Sequence, residues 1–207
     1  DEVIHIRRCS RCLNSGRSAI ELVGRDIQHW YDTIKRLDPT ITILMWDDLL
    51  RENHPGGSAI SFVPNDIIIC PWTYHGNPEA NAEILRRLNW FLGKNNRPTM
   101  GTASGYWHEN IWLWNQGMAG FTGNPNNHGF MFTHWGEALN LWSALSFTAE
   151  CMWSRDKLDK ATFDLYAQAD DLIEPITDAG VVVYKADPKA YEDLNDTLLF
   201  VARFHLT

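Results

Sequence analysis

Positive charge is scarce in this sequence. Eighteen Lys and Arg stand against 26 Asp and Glu over 207 residues, a formal net charge of −8. No basic patch is available to neutralise phosphates, so nucleic acid is not an expected partner. Long apolar runs are missing too: no stretch approaches the ~20 residues of a membrane span, and no membrane partner is expected. Closed metal-ligand sets are also lacking. Cys9-x-x-Cys12 has the spacing of half a zinc site, but no second CxxC and no close His pair completes it. The pair therefore reads as loop thiols. No glycine-rich phosphate loop is present. The expectation is a protein without metal or cofactor.

What the sequence has in excess is tryptophan. Ten indoles accompany an otherwise ordinary 44% hydrophobic and 21% charged composition. Indole rings bury well, and they also form flat platforms for sugar faces and aromatic ligands. The length suffices for one domain with a sizeable core.

The tryptophans follow a pattern. Ile43-Leu44-Met45-Trp46 runs into Asp47-Asp48, and Ile67-Ile68-Ile69-Cys70-Pro71-Trp72 runs into Thr73-Tyr74-His75. Pro98-Thr99-Met100-Gly101 runs through Thr102-Ala103-Ser104-Gly105 into Tyr106-Trp107-His108-Glu109. Phe130-Met131-Phe132-Thr133-His134-Trp135 runs into Gly136-Glu137. Each run fits a short strand buried on both faces. From Trp46 to Trp72, Trp107 and Trp135 the steps are 26, 35 and 28 residues. Each step has room for one helix and two loops, the period of a βα unit. In parallel α/β architectures functional groups gather at the C-terminal strand ends, so the four ends are read as one wall of a site.

Between these runs the helix signals are local. Ser18-x-x-Glu21 is a capping box for a helix over residues 15–37. Its expected apolar face is Ile20, Val23, Ile27, Trp30, Tyr31 and Ile34. Asn77-Pro78-Glu79 opens a second helix with proline at its first position, burying Ile84, Leu85, Leu88 and Leu92. Residues 60–63 read as a short extra strand. Residues 98–101 read as the weakest strand, with a small, flexible continuation where backbone passes close to something. Residues 110–118 read as a helix whose Ile111-Trp112-Leu113-Trp114 stretch packs into the core. A long apolar helix runs to about Trp153, and amphipathic helices follow.

The repeat supplies four βα units, while a closed parallel barrel needs eight strands and ~250 residues. Either the sheet is open, or the chain is the second half of a (β/α)8 barrel. Entry directly on Asp1-Glu2, without Met, favours the second. The expected organisation is α/β, with residues 1–153 as strands 5–8 of a TIM barrel and 154–207 as a helical C-terminal extension.

With Asp1-Glu2, Trp46-Asp47-Asp48 and Trp135-x-Glu137 in view, the chain resembles glycoside hydrolase family 20, the β-N-acetylhexosaminidases. In that family an Asp-Glu pair ends the fourth strand, in a His-x-Gly-x-Asp-Glu context of which Asp1-Glu2 is present here. Trp46-Asp47-Asp48 resembles the fifth strand end. Phe132-Thr133-His134-Trp135-Gly136-Glu137 resembles the eighth. The likeness covers roughly residues 1–153 by order and spacing of short motifs. One motif departs: no Tyr-x-Asp occurs at the matching strand ends, and Tyr74 and Tyr106 are the candidate substitutes.

The resemblance implies removal of a terminal β-linked N-acetylhexosamine by a substrate-assisted retaining mechanism, one of the exceptions to two-carboxylate glycoside hydrolysis. Glu2 would be the general acid and then the base. Asp1 would orient the acetamido group. Trp135 would floor the sugar, and Glu137 would accept hydrogen bonds from its hydroxyls. Trp46, Asp48, Trp72, Tyr74 and Tyr106 would complete the walls. The expected partner is an N-acetylhexosamine-containing glycan or glycoside. The alternative is a non-catalytic carbohydrate-binding remnant of the same fold.

Overall fold

The computed structural model describes residues 9–54, 57–104, 108–134 and 141–153. The expected tail helices and the sequence-selected residues Asp1, Glu2, Tyr106, Trp135 and Glu137 lie outside them.

Cys9 caps a single helical turn, α1 (Ser10–Leu13). Ser18 then starts α2 (Ala19–Leu37) with both bonds of the capping box in place. The Glu21 N–H donates to Ser18 Oγ at 3.2 Å, and the Ser18 N–H donates to Glu21 Oε2 at 2.7 Å. The apolar stripe buries Val23 and half-buries Ile20, Ile27 and Tyr31 against the core. Trp30 departs from expectation and is 59% exposed. It lies seven residues beyond Val23 and only about 20° from it around the helix axis, so the angle fits the stripe but does not by itself bury the ring.

Strands β1 (Leu44–Trp46), β2 (Ile68–Cys70), β3 (Thr99–Ser104) and β4 (Asn127–Thr133) form one all-parallel sheet in the order β1-β2-β3-β4. The α/β class expected from the sequence is therefore observed. The segment at 60–63 is not a strand. It is a 3-10 turn, Ile60–Phe62, because its donors are used locally: Phe62 N–H reaches Ala59 O at 2.9 Å and Val63 N–H reaches Ile60 O at 3.3 Å. α2 presses on this turn at Gly24, where an added Cβ would lie 2.2 Å from Phe62 Cβ.

Asn77 caps α3 (Pro78–Leu88), accepting the Ala80 N–H at 2.9 Å. Ile84 and Leu88 are buried as expected, but Leu85 is exposed. The position facing the sheet is taken instead by Arg87. A wide turn over Asn89–Lys94 continues the helix and returns Phe91 and Leu92 to the core. β3 extends through Ser104, so Thr102, Ala103 and Ser104, expected to be flexible, are ladder residues, while Gly105 lies outside the described residues. A close approach falls instead one residue before that stretch, at Gly101, where a Cβ would meet Trp114 Cε3 at 2.5 Å. Trp114 sits on α4 (His108–Ala119), and α5 (Leu141–Trp153) follows β4.

The register sorts side chains by face. Met45 pairs with Ile69, Ile69 with Thr99, Gly101 with Phe130 and Ala103 with Phe132. Met45, Ile69, Ala103, Phe130 and Phe132 all belong to the two hydrophobic clusters built with the helices. The helices therefore cover one face. Trp46, Cys70, Thr102, Ser104, Met131 and Thr133 alternate to the other face. β1 was expected to be buried on both sides. It is not: Leu44 is 44% and Trp46 38% exposed, on a strand with a single ladder neighbour among the described residues.

Candidate functional site

At the end of β1 two consecutive carboxylates part company. Asp47 is fully buried and turns to the helix layer. Its Oδ2 accepts from Arg87 Nη1 at 2.9 Å, and Arg51 reaches both of its oxygens at 3.2 Å. Arg87 also donates to the Trp72 carbonyl and, through Nε, to Glu83 at 2.6 Å. Burial pushes the Asp47 carboxyl above the ordinary aspartate range, and the guanidinium groups of Arg87 and Arg51 pull against it.

Asp48 goes the other way. Its Oδ2 accepts the indole N–H of Trp72 at 3.1 Å, and its Oδ1 accepts from Arg51 at 3.2 Å. Trp72 bridges to Thr102, which places it on the face away from the helices. Its ring lies 4.8 Å from the Tyr74 ring at an interplanar angle of 30°. The Arg51 guanidinium stands 4.8 Å from the Trp72 centroid, and that of Arg87 stands 5.8 Å away, within cation–π range. Trp46 shares this face, pairing in the ladder with Cys70, two residues before Trp72. Thr102 Oγ1, buried on the same face, has no hydrogen-bond partner among the described residues.

The loop carrying Trp72 and Tyr74 is held by side chains. Asn110 on α4 is buried, and its Nδ2 donates to Thr73 O and His75 O, both at 2.7 Å. Its Oδ1 accepts the Ser104 N–H at 2.8 Å, tying the β3 end to the same point. Trp114 Nε1 donates to Thr73 O at 3.3 Å. With Arg87 on the Trp72 carbonyl, consecutive loop carbonyls that no strand satisfies are satisfied from the helix layer. The result is a fixed aromatic platform beside a carboxylate.

Of the residues selected from sequence, the structure thus brings Asp48, Trp72 and Tyr74 into one cluster and sets Trp46 on its face. His75 is exposed, and its carbonyl serves the loop. Neither Asp47 nor Asp48 caps the following turn through its side chain: the turn at Leu50 uses the Asp47 carbonyl. Sequence reasoning missed Arg51, Arg87 and Asn110. Arg87 did carry a signal, since it lies between Ile84 and Leu88 on the buried stripe of α3, where a charge needs a partner. Among the described residues no group of three or more His, Cys, Asp or Glu could hold a metal ion. No family model, no curated protein and no solved structure matches this chain.

Proposed function

We propose that the chain is part of a carbohydrate-active (β/α)8 barrel of the family 20 type, which removes terminal β-linked N-acetylhexosamine by substrate-assisted retention. The observation that carries the reading is the cluster of Trp72, Tyr74 and Asp48 at neighbouring C-terminal strand ends, with Trp46 on the same face. An indole wall beside a carboxylate matches the two sides of a pyranose: apolar C–H faces stack on rings, and hydroxyls donate to carboxylates. The barrel part is supported by helices lying on one face of a sheet whose order follows the chain. A doubly wound sheet reverses its order at a switch point and splits its helices. The exposed Leu44 and Trp46 on β1 are consistent with a further strand beside it.

In this reading Glu2 protonates the leaving oxygen and later activates water. Asp1 orients the acetamido group, whose oxygen attacks the anomeric carbon and stabilises the oxocarbenium-like transition state. Trp135 and Glu137 floor and clamp the ring, and Tyr106 joins the walls. The lack of a Tyr-x-Asp at the matching strand ends favours a second reading, carbohydrate binding without turnover. Hydrolysis of aryl N-acetyl-β-hexosaminides decides between them, with a thiazoline mimic of the cyclised intermediate as the binding probe. Glu2→Gln should abolish turnover and leave thiazoline binding intact. Binding without any hydrolysis in the unsubstituted protein selects the second reading. Full activity in Glu2→Gln overturns the mechanism.

A further inference from the structure

The CxxC pair has no place in the site above, yet its geometry is specific. Cys9 and Cys12 bring their sulfurs to 3.0 Å, and the Cys12 N–H donates to Cys9 Sγ at 3.3 Å. A disulfide needs sulfurs at about 2.0 Å, so a small change of side-chain torsion closes the gap across one helical turn. Cys9 is exposed and Cys12 half-buried, so a small oxidant reaches the pair.

We infer that Cys9 and Cys12 form a reversible dithiol–disulfide site that exchanges with small-molecule disulfides of the glutathione class. Cys9 is the attacking sulfur. Its thiolate displaces one small thiolate from the disulfide and forms a mixed disulfide. The Cys12 thiolate then attacks the Cys9 sulfur, forming the internal bond and releasing the second small thiolate. The protons lost by the two cysteines pass to the two released thiolates. The protein loses two electrons and two protons, and the small disulfide gains them.

Three features assign the order and the selectivity. Cys9 is the more exposed residue of the two, and hydrogen bonds from the Cys12 side chain and backbone hold its thiol below the ordinary cysteine value. Arg11, exposed between the two cysteines, adds positive charge to the segment. The other described cysteines are a built-in contrast. Cys70 and Cys151 are buried, and burial together with the nearby Asp47 charge pushes the Cys70 thiol up to about 12.

The test is equilibration of the full chain over a series of reduced-to-oxidised glutathione ratios, then rapid alkylation and mass analysis of the Cys9–Cys12 peptide. The expected result is a cooperative loss of both alkylations at one midpoint, with Cys70 and Cys151 unlabelled until denaturant is added. Cys12→Ser should accumulate the mixed disulfide on Cys9, and Cys9→Ser should react at least about tenfold more slowly. A pair that stays doubly alkylated across the whole series overturns the proposal. So does a pair that takes up stoichiometric zinc and then resists oxidation, which would make it a half-set of metal ligands. Equal mixed-disulfide yields from the two serine variants would overturn the order of attack.

Discussion

The two faces of the sheet treat the same side chains differently. Asp47 and Asp48 are adjacent, yet one is sealed among arginines in the helix layer and the other stands a third open beside Trp72. Tryptophan shows the same split. Trp114 is fully buried under Gly101, while Trp46 is 38% exposed on the far face. The helix-packed face spends its polar groups on fixing the strand ends. The far face keeps an indole and a carboxylate accessible. The first is where substitutions should cost stability, and the second is where they should cost ligand binding.

The sharpest break of this comparison is the aspartate pair. Asp47→Ala leaves the buried Arg87 guanidinium without its main counter-charge, and breaking such a pair costs about 3–5 kcal/mol. Asp48→Ala removes one indole hydrogen bond and one partly solvated ion pair, a loss of about 1 kcal/mol. Urea midpoints of the two variants measure the difference. Equal losses would mean that the two faces are equally structural. Next in size is Gly101→Ala. Its methyl would press on a fully buried Trp114 that has no room to yield, and overpacking of this kind costs about 1–3 kcal/mol. An unchanged midpoint would show that α4 can move off the sheet.

These same residues explain what the sequence could and could not announce. The capping box of Ser18 and Glu21 and the proline start of α3 depend on neighbours in the chain, and both are found where the sequence pattern puts them. The parallel order follows from the βα spacing. The role of Asp47 depends on Arg87, forty residues away, and the set of the Trp72–Tyr74 loop depends on Asn110. No local period encodes such pairs. Only the charge on the α3 stripe betrayed one of them. The face of Trp46 was legible by alternation, but its exposure was not, because exposure depends on whether another strand lies beyond β1. The apolar stripe of α2 over-reached at Trp30 for a related reason: periodicity gives an angle, and burial needs a neighbour at that angle.

A smaller effect tests whether the helix-side network is held by charge. Burial pushes the Glu83 carboxyl up, and the hydrogen bonds from Arg86 and Arg87 outweigh it, leaving Glu83 below its ordinary value of 4.5. A carboxylate depressed in the folded state contributes stability that is complete above the unfolded value and is lost as pH falls through the folded one. Urea midpoints should therefore decline below about pH 4.5, and Glu83→Gln should flatten that decline by under about 1 kcal/mol. An identical acid limb in the variant would show that Arg87 is held by Asp47 alone.

The smallest expected change in stability belongs to Trp46, and it is the one that probes the far face directly. Trp46→Phe keeps an aromatic ring on a strand with one ladder neighbour among the described residues, where water already reaches the side chain. The midpoint should shift by no more than about 0.5 kcal/mol. If the ring is a sugar platform, the smaller face should weaken N-acetylhexosamine or thiazoline binding about five-fold, or ~1 kcal/mol. Calorimetric titration of the folded variant reads this without reference to turnover, so it separates binding from the acid–base residues. A large loss of stability with unchanged affinity would make Trp46 a core residue, and the far face would then be a second packing surface whose partner strand hides the cluster.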